Sequence, residues 1–208
     1  MCSDSEWLAV TAWLEDSNGR KSNRKKVTLP SVPNPNDNGS YKISWPLGTE
    51  AYRRALNFTG FDQDGKKVSL WDFYGKIIFV EFGTMWCGPC DLMSGDVERL
   101  WKKWKDNDNV VFVSVFHEGY TYGVPVTQAD LKTWAGDHKY QVVLLADPER
   151  EAMGLFHDPA SPTAVPQYMF IDPFMQISFK GVGWGQNFFY DQINNSIKTM
   201  VNRWFSGS

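Results

Sequence analysis

Apolar and polar positions repeat in a regular way only from about residue 57 onward. There they predict strands alternating with helices. Phe58–Asp62 and Lys66–Leu70 flank Asp64-Gly65, a hairpin signal because glycine tolerates positive φ. Ser69 is a cap for a short helical turn through Phe73, closed by Gly75. Lys76–Phe82 is apolar on both faces until Glu81, the pattern of a central buried strand. From Gly88 to about Lys105 a helix is expected, with Leu92, Val97, Leu100, Trp101 and Trp104 on its apolar side. Val110–Phe116 is a second buried strand. Thr127 caps a helix to Ala135 closed by Gly136, Gln141–Ala146 is a strand, and Pro148–Met153 is a short helix ended by Gly154. Tyr168–Asp172 and Gln176–Lys180 make a second hairpin, and Asn187–Phe205 a last helix carrying Phe188, Ile193, Ile197, Met200, Val201 and Trp204. This succession predicts an α/β fold with a mixed central sheet flanked by helices.

Residues 1–56 are patterned differently and form an N-terminal extension to a domain at 57–208. Trp7–Leu14 is apolar but too short to assign to a strand or a helix. Arg20–Lys26 holds five basic residues in seven, most simply a solvated loop. Leu29–Gly39, rich in Pro and Asn, is a linker or long loop.

The 208 residues carry 21 Lys+Arg against 24 Asp+Glu, a net charge of −3, which argues against a nucleic-acid partner. With 15% aromatics, including 10 Trp and 14 Phe, there is ample material for a core. No apolar run approaches the ~20 residues of a membrane-spanning helix. Three cysteines are too few for a disulfide-built scaffold. Two of them form Cys87-Gly88-Pro89-Cys90.

A Cys-x-x-Cys is either half of a zinc site or a redox dithiol. Zinc needs four ligands, usually a second pair at similar spacing, and Cys2, His117, His138 and His157 form none, so no metal is expected. A dithiol needs its first cysteine after a strand and at the start of a helix, where unpaired N–H groups and the helix dipole stabilise a thiolate. Lys76–Phe82 supplies the strand, and Pro89 lies early in the helix, where its missing N–H costs little.

Thr84-Met85-Trp86-Cys87-Gly88-Pro89-Cys90 resembles the active-site motif of thioredoxins. The stretch from Asp64-Gly65-Lys66 to Gly75-Lys76-Ile77-Ile78-Phe79-Val80 is similar to the TlpA/ResA branch of thioredoxin-like proteins, related to the AhpC/TSA redoxins. Ala164-Val165-Pro166-Gln167-Tyr168-Met169-Phe170-Ile171-Asp172 matches that family's cis-proline and following strand. The resemblance spans roughly residues 57–205 and implies a thioredoxin fold. Three departures stand out: Pro173-Phe174-Met175 replaces an Asp-Gly turn, His117–Val126 is a longer aromatic loop, and the Gly-Pro dipeptide is that of reducing thioredoxins.

The resemblance implies a thiol–disulfide oxidoreductase acting on protein disulfides or dithiols, recharged by an upstream electron donor and needing no organic cofactor. Cys87 is then the nucleophile and Cys90 the resolving thiol. Glu81, six positions before Cys87, falls where thioredoxins carry a buried acid and would accept the Cys90 proton. Otherwise it is a strand-end carboxylate facing solvent, or paired with Lys76 or Lys105. Pro166 is expected to be cis, leaving the Val165 backbone to pair with an extended substrate. Trp86 offers an apolar contact beside Gly88 and Pro89, unless it is simple core. Trp184 either lines the same surface or does not.

Two rivals remain at this level. A peroxiredoxin-like peroxidase expects a Thr three residues before its cysteine, which Thr84 satisfies, but no dithiol of this type. A non-catalytic binding module of the same fold has no need for Cys87, Cys90, Glu81 and Pro166 together. Met1-Cys2-Ser3-Asp4 looks like a mature lipoprotein start, so an extracytoplasmic, membrane-tethered monomer with a lipid anchor at Cys2 is the expected setting, with a cytoplasmic location as the alternative.

Overall fold

The protein is described by a computed structural model covering residues 46–185 and 188–205. The apolar segment at 7–14, the basic run at 20–26, the Pro/Asn-rich stretch at 29–39 and Cys2 lie outside the described residues. The strands are β1 (Leu47–Gly48), β2 (Arg54–Ala55), β3 (Thr59–Phe61), β4 (Lys67–Ser69), β5 (Ile77–Thr84), β6 (Val110–Glu118), β7 (Val143–Ala146), β8 (Gln167–Ile171) and β9 (Ile177–Val182). The helices are α1 (Gly88–Trp104), α2 (Gln128–Asp137), α3 (Glu151–Phe156) and α4 (Phe189–Trp204), with a 3-10 turn at Leu70–Phe73.

A seven-stranded sheet runs β4-β3-β7-β6-β5-β8-β9. β5, β6 and β7 are mutually parallel, and β8 returns antiparallel beside β5. Every residue of β5 is buried, which its unbroken apolar run requires of a strand covered on both faces. Alternation then divides the core. Ile78, Val80 and Phe82 face α3 and the 3-10 turn, while Phe79 faces α1, α2 and α4 with Met93, Trp134 and Ile193. Glu81 and Gly83 share the parity of Phe79 and fall on the α1 side. β1 and β2 form a small separate parallel pair. Tyr52 and Ala55 bond through their N–H groups to the carbonyls of Ile177 and Met175, so this segment packs on the far end of β9.

Local chemistry sets the turns. Asp62 Oδ1 accepts from Asp64 N and Lys66 N across the first hairpin, where Gly65 takes φ 79°. Ser69 caps the 3-10 turn in a reciprocal box with Asp72, and Thr127 does the same for α2 with Asp130. In the second hairpin Asp172 Oδ1 accepts from Phe174 N and Gln176 N. Phe174 is buried against Trp204 and Met175 is fully buried, so the apolar tip is core rather than a partner surface.

Other expectations are corrected. α2 runs through Gly136 to Asp137, and the chain reverses at Lys139 (φ 51°) instead. α3 begins at Glu151, after a left-handed Arg150, because the Asp147 carboxylate accepts from Met153 N; it continues through Gly154 to Phe156. Leu92 and Phe188 are exposed, the one turned off the buried stripe of α1 and the other the residue preceding α4. Among the described residues no helix is long and apolar enough to cross a membrane.

Candidate active site

β5 ends at Thr84, Met85 N donates to Glu118 O at the end of β6 (3.1 Å), and the chain turns at Trp86 into α1. Cys87 is the N-cap of α1. Its backbone is extended (φ −84°, ψ 110°), its Sγ accepts from Cys90 N at 3.2 Å, and its carbonyl accepts from Cys90 N and Asp91 N at 3.0 Å each. A thiolate here would sit on a backbone donor at the positive end of a 17-residue helix. Cys87 and Cys90 are joined in a disulfide, their Cα atoms 5.2 Å apart.

Cys87 lies at the helix start that the sequence predicts, but it is buried there, 5% exposed against 2% for Cys90. What covers it comes from the opposite side of the site. The Val165–Pro166 peptide is cis, and Val165 O lies 3.7 Å from Cys87 Sγ. Neither the N–H nor the C=O of Val165 bonds a backbone group among the described residues. Gln167, the next side chain but one, fixes that loop: its Nε2 donates to Ser161 O and Ala164 O, and its Oε1 accepts from Asp158 N.

Trp86, Gly88 and Pro89 are exposed around the sulfur. The Trp86 indole donates to Glu118 Oε2 at 2.6 Å, and its ring meets Tyr122 edge-on at 5.0 Å. Glu118 also accepts from Gly123 N at 2.9 Å, so one carboxylate ties Trp86 to the aromatic loop. Burial alone would raise that carboxyl; the bonds from Gly123 and Trp86, together with the His117 and Arg150 charges, outweigh it and hold it below the usual range. Tyr120 and Tyr122 are exposed on the same loop. Trp184 instead bonds Asp96 of α1 through Nε1 at 3.1 Å.

Glu81 is 3% exposed and makes no ion pair with Lys76 or Lys105. Its Oε1 accepts from the Ser114 hydroxyl and from Tyr140 Oη, the latter at 2.7 Å. Burial pushes its carboxyl up to about 7, against the downward pull of those two hydrogen bonds. Gly83, next on the same face, lies under the dithiol: a Cβ there would stand 3.3 Å from Cys90 Sγ. His117 is buried and held down to about 4, by desolvation first and then by the Arg150 charge, and has no bond to the dithiol. Thr84 Oγ1 is buried and makes no hydrogen bond among the described residues.

Similarity to known proteins agrees with this geometry. The AhpC/TSA family profile matches residues 52–180, well over half of the chain. The chain belongs to the AhpC/TSA family. It is 39% identical over 57 residues to the thiol-disulfide oxidoreductase ResA of Bacillus thuringiensis subsp. konkukian, a match spanning 27% of this chain and 33% of that protein. This supports the TlpA/ResA branch expected from the sequence, although the chain spans only about a third of the length of the curated ResA relatives it matches. Among solved structures, a putative protein disulfide isomerase from Bacteroides thetaiotaomicron superposes with TM-score 0.63 at 20% identity, covering 74% of this chain and 91% of that one. The exposed lipoprotein thioredoxin of Streptococcus pneumoniae gives 0.54 at 23%, covering 69% and 99%. The fold is a thioredoxin fold.

Ser114, Tyr140, Glu118 and Gln167 were not singled out from sequence, and Tyr122 was read only as part of the aromatic loop His117–Val126. A signal existed for one: Ser114 is the lone polar residue in Val110–Phe116, as Glu81 is in Ile77–Gly83, and parallel pairing sets the two side by side.

Proposed function

We propose that the chain is a thiol–disulfide oxidoreductase that reduces protein disulfides through Cys87 and Cys90. The observation that carries the reading is Cys87 at the N-cap of α1, its sulfur accepting from Cys90 N and lying 3.7 Å from the carbonyl of Val165, whose backbone pairs with no other backbone group among the described residues. The Cys87 thiolate attacks one sulfur of a substrate disulfide, and the other leaves as a thiolate. Cys90, deprotonated with Glu81 as acceptor, attacks Cys87 Sγ and expels the second substrate sulfur. The substrate gains two electrons and the protein dithiol loses two, to be restored by an upstream dithiol donor. Val165 pairs with the substrate backbone next to Pro166, while Trp86, Gly88 and Pro89 form the contact surface.

The domain is residues 57–208, with 1–56 as its extension. The pneumococcal neighbour bears the name of an exposed lipoprotein, which favours an extracytoplasmic setting for this chain; the monomer and the anchor through Cys2 remain the reading made from the sequence. The test is insulin reduction driven by a dithiol donor, beside peroxide turnover under the same conditions. Insulin reduction lost in Cys87→Ser supports the reading. Faster peroxide turnover that survives Cys90→Ser would replace it with a one-cysteine peroxidase.

A further inference from the structure

The surroundings of Glu81 specify more than its burial. Ser114 reaches it from β6, directly opposite in the parallel register. Tyr140 reaches it from the segment after α2, where left-handed Lys139 turns the chain and Tyr140 N donates to Ala135 O at 2.8 Å. Ser114 Oγ and Tyr140 Oη are 2.9 Å apart, closing a triangle on one carboxylate oxygen. Both hydroxyls donate to Oε1; among the described residues Oε2 receives no hydrogen bond. A carboxylate oxygen offers about two lone-pair sites, so Oε1 is filled and a proton must arrive at Oε2.

We propose that Tyr140 and Ser114 are positioning residues for dithiol resolution, gripping Oε1 of Glu81 so that Oε2 is the oxygen that takes the proton of Cys90. The proposal rests on the reading of Glu81 as proton acceptor. Glu81 lies two residues along the strand from Gly83, roughly 7 Å at ordinary strand rise, and Gly83 underlies Cys90. A glutamate side chain covers most of that backbone separation, so the proton would pass directly or through solvent. The S–H bond of Cys90 breaks, an O–H bond forms at Oε2, and the thiolate attacks Cys87 Sγ. Glu81 then gives the proton to solvent or to the departing substrate thiolate.

Tyr140 bonds the carboxyl; the other titratable groups on that side of the sheet are Tyr168, its register partner on β8, and Cys90 of α1, packed against Gly83. No charged side chain shifts it. Two neutral donors are thus the counterweight to burial. Burial raises the Tyr140 phenol well above its usual range, so it stays a donor throughout the working pH.

The experiment is single-turnover resolution of a preformed mixed disulfide, followed by acid quench from pH 5 to 9, in the wild type, Tyr140→Phe, Ser114→Ala and Glu81→Gln. Removing the tyrosine hydroxyl disfavours the carboxylate, so the midpoint of the Tyr140→Phe profile should rise by about one pH unit or more. The rate at pH 7 should then fall several-fold while the alkaline plateau survives. Ser114→Ala should move it the same way, and Tyr140→Phe should add nothing in a Glu81→Gln background. A ¹³C NMR titration of the Glu81 carboxyl should show the same rise. Slow resolution in Glu81→Gln with unmoved midpoints in Tyr140→Phe and Ser114→Ala would overturn the proposal alone. Unchanged resolution in Glu81→Gln would overturn the acceptor role and the proposal with it.

Discussion

Replacing Glu81 by Gln should make the oxidised protein more stable, by an amount that grows from pH 4.5 to 7 and is complete above neutral pH. The folded carboxyl is pushed to about 7 from an ordinary 4.5, chiefly by burial. Below pH 4.5 both folded and unfolded states hold the proton, and the raised value costs nothing. Between 4.5 and 7 the unfolded chain releases a proton that the folded chain keeps, so stability falls as pH rises. Above 7 the penalty is complete, at about 3 kcal/mol by the ~1.4 kcal/mol per pKa unit that linkage gives. Gln keeps an oxygen for Ser114 and Tyr140 and carries no charge, so it removes the penalty with little change in volume. Urea denaturation at pH 5 and 8.5 measures the effect. Asp172, raised to about 6 by burial against hydrogen bonds from Gln176 and Phe174, adds its own slope, but equally in both proteins. Because pH 5 already lies above the unfolded midpoint, the stability difference between variant and wild type should grow by about 2.5 kcal/mol from pH 5 to 8.5, a midpoint change of roughly 1–2 M urea. An equal difference at both pH values would refute a buried, ionisable Glu81.

If the Gly-Pro dipeptide sets the redox couple as in thioredoxin, equilibration with glutathione should return about −270 mV; a value above about −180 mV would contradict a reductant. In the reduced protein, iodoacetamide should modify Cys87 well before Cys90, because Cys87 holds the helix N-cap; since the two residues differ little in exposure, labelling of Cys90 first would mean that thiolate stabilisation at α1 is not decisive. Gly83→Ala would bring a methyl to 3.3 Å from Cys90 Sγ and 3.4 Å from Phe116, so resolution should slow by a fewfold with a modest loss of melting temperature; no change in either would show that the dithiol has slack beneath it.

Much of this was legible in the chain because the informative features were local. An unbroken apolar run makes β5 central, a strand meeting Cys-Gly-Pro-Cys makes Cys87 a cap, and Ser69 and Thr127 mark their own helical turns. Glycine was the weaker guide. Gly136 and Gly154 lie inside helices, because Lys139 and Arg150 take the left-handed conformations that end or begin those segments. Tyr140 could not be read at all. Its contact with Glu81 spans 59 positions and depends on how α2 docks, which no periodicity encodes. Likewise Glu118 emerged only when β6 ran past Phe116 and its carboxylate met Trp86. Local pattern sets the elements, and cross-element hydrogen bonds finish the site.

The central claim is that Cys87 opens substrate disulfides and Cys90 closes the cycle. Incubating Cys90→Ser with a disulfide-bonded protein such as oxidised insulin, then locating the adduct by mass spectrometry, tests it most directly. A stable one-to-one mixed disulfide should form at Cys87 in Cys90→Ser and none in Cys87→Ser. An adduct at Cys90 in Cys87→Ser, with Cys87 unmodified in Cys90→Ser, would contradict it.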